Sequence, residues 1–165
     1  HYINRDKLIG SFKEDFQGLY QDGIYLGFAV TKTMKRELIL KNHLLFIKGR
    51  HFEDIPWSFS LVKHIKIYAI YQNCFYMYRR ERKGAISSVI TAQNQISLFQ
   101  NLSNVITEIT DMKLSNELLP GLKKYADDIY GYVMTCYNLL SNEEKIIFYE
   151  DIENINKEWI KINTL

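Results

Sequence analysis

The feature that most limits what this chain can fold into is a set of three apolar stripes between Ile96 and Trp159. Ile96, Leu98, Leu102, Val105, Ile109 and Met112 recur every three or four residues. So do Leu122, Ala126, Ile129, Val133, Cys136 or Tyr137, and Leu140. Phe148, Ile152, Ile155 and Trp159 form the last stripe. That spacing lines each set along one side of a helix. Ser141-Asn142-Glu143-Glu144 precedes the last stripe as a capping box, the serine hydroxyl and the Glu144 carboxylate each serving the other's backbone N–H. Only two prolines and eight glycines occur in 165 residues, so little interrupts these helices. Helices with one apolar side must bury it against each other or against the preceding unit.

The first ninety residues are less regular. Leu8, Phe12, Phe16 and Leu19 or Tyr20 predict a helix over 4–20, with Asn4 as its cap and Asp22-Gly23 as its stop. Ile24–Val30 is short, apolar and broken by glycine, so its state is ambiguous. Met34, Leu38 and Ile39 predict a short helix over 32–42. A loop turns around Gly49. A further helix is expected over 54–64, capped by Asp54, with Pro56 tolerated in its first turn. Ile67–Tyr71 and Cys74–Tyr78 are β-branched and aromatic, and read as two short strands of a hairpin across Gln72-Asn73. The fold class expected is α+β, mainly α. Residues 1–90 form one part and the helical region 91–165 the other. No open α/β sheet with a phosphate-binding turn is discernible, so a catalytic core would lie partly outside this chain.

Composition excludes several classes. The net charge of +2 is too small for bulk nucleic-acid binding, and no nucleic-acid partner is expected. Cys74 and Cys136 each sit in an apolar run, which suits buried reduced thiols. No apolar run reaches the roughly 18 residues of a membrane span, and no signal-peptide pattern opens the chain. A cytoplasmic location is expected.

Three local features can carry chemistry. Glu53-Asp54 stands at a loop-to-helix junction, where a carboxylate either caps the helix or works as a general base at a cleft rim. Arg79-Arg80-Glu81-Arg82-Lys83 is either a solvated loop or an anion clamp, because guanidinium forks match phosphate oxygens. His51 lies close to the carboxylates. His43, His51 and His64 lack the spacing of a helical metal pair, so no metal site is assigned.

The order of these features resembles the second half of bacterial family 2 glycosyltransferases. Lys32, Lys35-Arg36, Leu40, Asn42, Phe46 and Gly49 precede the Glu-Asp pair, and Trp57 follows. Tyr76-Met77-Tyr78-Arg79 leads into Arg80-Glu81-Arg82-Lys83-Gly84-Ala85-Ile86-Ser87. The family shows a "K-L-Y-K-R-x-x-L-x-x-N" segment, then "G-x-x-x-E-D", then a "Y-x-Y-R" stretch and a Gly-Ser-Ile turn. The resemblance covers roughly residues 24–90. This chain departs from it at Val30, where the family has Trp, at Thr33-Met34 in place of Leu-Tyr, and at Ala85 in place of Ser.

The resemblance implies a GT-A architecture, an inverting mechanism and a nucleotide-sugar donor. It makes Asp54 the general base and Glu53 its support. It sets Arg79, Arg80, Arg82 and Lys83 near the donor diphosphate, and Trp57 and His51 near the acceptor. The implied acceptor is a saccharide or lipid-linked saccharide, which allows a peripheral position at the inner membrane face. The family's nucleotide-binding strands and its Asp-x-Asp motif, which holds Mg or Mn, belong to an N-terminal half. No D-x-D occurs here, and Asp127-Asp128 are adjacent residues on an expected helix. The expectation is therefore a segment that is inactive alone, with its metal in the full-length enzyme and a possible homodimer of the fragment. The alternative is a helical interaction or regulatory module without catalysis.

Overall fold

A computed structural model describes residues 6–25, 27–73, 76–79, 91–111, 117–149, 153–157 and 160. The chain is α+β and mainly α, with one two-stranded antiparallel sheet among the described residues. The expected helix over 4–20 divides into β1 (Ile9–Ser11) and α1 (Phe12–Gln21). Asn4, its expected cap, lies outside the described residues.

Crowding at Gly10 helps explain the division. A Cβ built there would stand 2.4 Å from Asp15 Oδ2 and 2.6 Å from Lys7 Cε. The Lys7–Asp15 ion pair, 2.6 Å long, crosses the glycine, and Tyr68 donates to the same carboxylate at 3.0 Å. Glycine gives these side chains their room.

The strand partner also differs from expectation. β2 (Ile67–Ala69) pairs with β1, in the register Ile9 to Ala69, Gly10 to Tyr68 and Ser11 to Ile67. Residues 76–79 have no strand structure, and Cys74 and Phe75 lie outside the described residues. The hairpin is thus replaced by a long-range pairing that seats the start of α1, whose Phe12 N–H donates to Lys66 O at 2.9 Å.

A 3-10 turn follows at Ala29–Thr31, then α2 (Arg36–Lys41) and α3 (Asp54–Val62). The two helices are shorter than expected. Pro56 does occupy the first turn of α3. α4 (Ala92–Asp111) and α5 (Leu119–Asn138) are long and pack on each other. The capping box opens α6 (Asn142–Ile147) as expected, with both reciprocal bonds present. A helical stretch at 153–157 follows.

One hydrophobic core joins both sides of position 90. Phe12, Phe16 and Leu19 of α1 meet Phe59 and Val62 of α3, Leu98, Leu102 and Ile106 of α4, and Leu122, Ala126 and Val133 of α5. Phe148 and Ile155 of the last stripe are buried in it, while Ile152 and Trp159 lie outside the described residues. Cys136 is a buried free thiol. A smaller cluster of Leu44, Trp57 and Leu61 receives Ala29, Met34, Leu38 and Ile39, so the turn and α2 are fastened to α3. Ser60 and Lys63 of α3 both bind Glu108 of α4, at 2.9 and 2.6 Å.

Candidate functional site

The loop before α3 is sharply turned. Gly49 has φ +76° and Phe52 has φ +57°. The second value is costly for a residue with a side chain, of order 1–3 kcal/mol, and needs support from its surroundings. Asn101 of α4 gives that support. It is fully buried, and its amide nitrogen donates to the carbonyls of both His51 and Phe52 at 2.8 Å. Asn94, also buried, hydrogen-bonds His51 Nδ1. Asn94, Leu98, Asn101 and Val105 share one face of α4. Apolar contact and polar clamping therefore alternate along that face. These two asparagines were not among the expected site residues. Their signal was polarity on an otherwise apolar helical stripe.

The clamped loop delivers Glu53 and Asp54 to the start of α3. Asp54 is half-buried. It does not cap the helix in the expected way: Glu53 is the capping residue, and its side chain makes no cap bond. The backbone N–H groups of Ala29, in the 3-10 turn, and of Asp54 itself favour the charged carboxylate instead. Burial, with a smaller push from the Glu53 charge, raises its pKa above the usual 3.8, against the pull of those N–H groups and of Lys32. Desolvation thus outweighs the backbone N–H groups around the carboxylate.

Lys32 belongs to the same turn. Its ammonium donates to Phe28 O at 2.8 Å and lies 4.7 Å from the centre of the Tyr25 ring. Burial pulls its pKa down to about 8, while the Asp54 charge pushes it back up. The turn is tied to α3 a second time by Ser58 Oγ, which donates to Gly27 O at 2.6 Å. Tyr25 donates to Ser58 O at 2.5 Å, and Tyr125 of α5 donates to Ile55 O at 3.1 Å. Burial pushes both phenols well above their ordinary value. Lys32 was legible only as the first residue of a motif, and Tyr25 and Tyr125 were not singled out at all.

The remaining expected residues are distributed as follows. Trp57 is buried, its indole N–H donating to Leu44 O at 3.1 Å and its ring 5.1 Å from that of Phe46. The same residue lines a cleft of about 180 Å³ with His43, Leu45, Ile47, Ser60 and Glu108. A second cleft, of about 250 Å³, is lined by Arg50, Gln100, Ser103, Asn104 and Asn154. Asp54 lines neither. Arg79 is exposed, and Arg80, Arg82 and Lys83 lie outside the described residues. Among the described residues no group of three His, Cys, Asp or Glu converges as metal ligands do. Asp128 binds Tyr20 and Lys124. The Mg or Mn implied for a full-length enzyme has no fitting ligand set among the residues described. No helix among them is long and apolar enough to cross a membrane.

Compared with protein-family models, with curated proteins and with solved structures, the chain matches none.

Proposed function

We propose that this chain is the acceptor-side part of an inverting family 2 glycosyltransferase, with Asp54 as its general base. One observation carries most of the support. Asp54 is a half-buried carboxylate whose pKa is raised by desolvation, at the start of a helix held by a clamped loop. A base must hold a fixed direction and be basic enough to take a proton, and desolvation makes a carboxylate more basic. The order of motifs from Lys32 to Ser87 is the second support.

In the proposed reaction an acceptor hydroxyl attacks the anomeric carbon of a nucleotide-sugar. Its proton passes to Asp54 as the new C–O bond forms. The bond from the anomeric carbon to the diphosphate oxygen breaks, and its electron pair leaves with the nucleoside diphosphate. Attack and departure occur on opposite faces, so the configuration inverts. Glu53 raises the basicity of Asp54 by like-charge repulsion. Arg79, Arg80, Arg82 and Lys83 supply positive charge to the departing diphosphate. His51 and Trp57 spend polar atoms on Asn94 and Leu44. Their role in this reading is to shape the acceptor side beneath Asp54. The donor site and the metal belong to an N-terminal half, and the acceptor is a saccharide, free or lipid-linked, met on the cytoplasmic side of a membrane.

The test is sugar transfer from a panel of labelled nucleotide-sugars by the enzyme containing both halves. Asp54→Asn should cut kcat on the order of 100-fold or more with little change in donor KM. Transfer at the unaltered rate would overturn the assignment. A helical interaction module is the second reading, favoured by the exposed apolar side chains Leu40, Leu45 and Phe46, which are 51%, 72% and 49% accessible.

A further inference from the structure

Arg50 stands in the turned loop before α3, and α4 holds one side of its guanidinium. Its Nη1 donates to Oδ1 of the fully buried Asn101 at 3.4 Å. Turned so that its amide meets both neighbours, Asn104 accepts from the same Nη1 at 2.9 Å and donates to Gln100 O at 3.3 Å. Asn101 spends its own amide nitrogen on the His51 and Phe52 carbonyls, which keeps its oxygen in place under the arginine. A guanidinium carries five N–H donors. Those on Nε and Nη2 meet no acceptor among the described residues. That free edge is a fork that matches two oxygens of a carboxylate or a phosphate.

Arg50 lines the larger of the two clefts, of about 250 Å³, together with Gln100, Ser103, Asn104 and Asn154. The side chains of Gln100, Ser103 and Asn154 also have no bonded partner among the described residues. Each of them has an amide or hydroxyl hydrogen to donate. The buried side chains of Phe99 and Ile155 supply an apolar wall. No carboxylate among the described residues lines the cleft. Glu108, one turn along α4 from Asn104, is held by Ser60 and Lys63, and Glu153, beside Asn154, is held by Lys157 at 3.1 Å. A surface arginine that serves solubility alone keeps its head loose in water. Here one side of the head is fixed to α4, so less freedom remains to be lost when a ligand binds. The volume of about 250 Å³ lies below the roughly 300–1,000 Å³ of sites for drug-sized ligands, which suits one charged group with a short body behind it.

The geometry points to this cleft as an oxyanion site, in which Arg50 grips a carboxylate or phosphate through Nε and Nη2 while Gln100, Ser103 and Asn154 surround it with neutral donors. Both groups present the paired oxygens that the fork requires. The site goes beyond the proposed reaction and does not depend on Asp54 being the base. Asn101 holds both Arg50 and the His51 and Phe52 carbonyls, so an anion bound there is tied to the loop that leads into α3.

The test is proton–nitrogen NMR of the protein during titration with inorganic phosphate and, separately, with glucuronate, at constant ionic strength set by chloride. Uncharged glucose is the control. The Arg50 Nε–H and the backbone amides of Gln100, Ser103 and Asn104 should shift saturably with the anions, with a Kd on the order of 1 mM, and not with glucose. Tighter binding of phosphate identifies a phosphorylated ligand, and tighter binding of glucuronate a carboxylate. Arg50→Gln should weaken binding about tenfold or more, read from the backbone amides. Arg50→Lys keeps the charge without the fork and should recover only part of it. Equal binding by Arg50→Gln, or the absence of any saturable shift, overturns the proposal. Should Arg50→Gln not fold, Asn104→Asp puts a carboxylate against the guanidinium, and undiminished anion binding in that variant overturns it equally.

Discussion

The α4–α5 pair and the surroundings of the loop and helix start at 51–54 bury side chains for different purposes. Between α4 and α5 the buried groups are Leu98, Leu102, Ile106, Leu122, Ala126 and Val133, and any well-packed apolar set of that volume would serve. Around Asp54 the buried groups are Asn101, Asn94, Ser58, Tyr25 and Tyr125, and each has a named partner atom. A buried polar group is tolerated only when it is satisfied, so this region tolerates far fewer arrangements. α4 takes part in both, with the two asparagines standing on the same face as its leucines. The lesson is that one helix stabilises the molecule with some residues and orients a loop with their immediate neighbours.

Neighbouring substitutions on α4 separate these purposes. The largest loss of stability is expected from Leu102→Ala, about 2–5 kcal/mol, because the side chain is fully buried and leaves a cavity. Urea denaturation measures it, and the Asp54 resonance in the folded protein should stay where it was. Asn101→Ala, one residue away, should cost about 2–4 kcal/mol by stranding the carbonyls of His51 and Phe52. Unlike Leu102→Ala, it should also move the resonances of Phe52 and Asp54. If Asn101→Ala leaves the loop resonances in place, the polar clamp is not what holds the loop, and the contrast between the regions fails.

Gly121→Ala should cost about 1–3 kcal/mol, since the new methyl would meet Phe16 at 2.7 Å in a fully buried position. Its effect belongs to packing alone. A thermal melt should register the loss, and the pH titration of Asp54 should not.

Sequence periodicity disclosed the packed half well. The stripes of α4 and α5 and the Ser141 capping box were all readable, because helical period and cap spacing are local properties. What stayed hidden depends on residues far apart in the chain. Ile9–Ser11 looked helical because Leu8, Phe12 and Phe16 keep helical spacing, yet its pairing with Ile67–Ala69 is decided at long range. Gly10 was the local hint, a residue without a side chain where Asp15 and Lys7 needed space. Asp54 was identified by its neighbours in the chain, but its surroundings come from Ala29, Lys32 and Tyr125. No pattern in 49–57 points to them. Asn94 and Asn101 were not singled out, and nothing near them in the chain names the loop carbonyls and imidazole that they bind.

The smallest expected effect reads the site through stability alone. Lys32 has an ordinary value of 10.5 and a folded value of about 8. Below pH 8 it is charged in both states. Between about pH 8 and 10 the unfolded chain keeps the proton that the folded protein has lost. The unfolded state then binds more protons, so this group makes stability rise with pH. Tyr25 and Tyr125 act in the opposite sense above pH 10, where the folded protein keeps phenol protons that the unfolded chain gives up. Stability against pH should climb gently from 8, pass a maximum and fall beyond 10. Lys32→Met should flatten the climb and leave the fall, and it is the slope of thermal melting against pH that matters, not its level. A climb that persists in Lys32→Met would assign the rise to other groups and remove the buried ammonium from the contrast between the two regions.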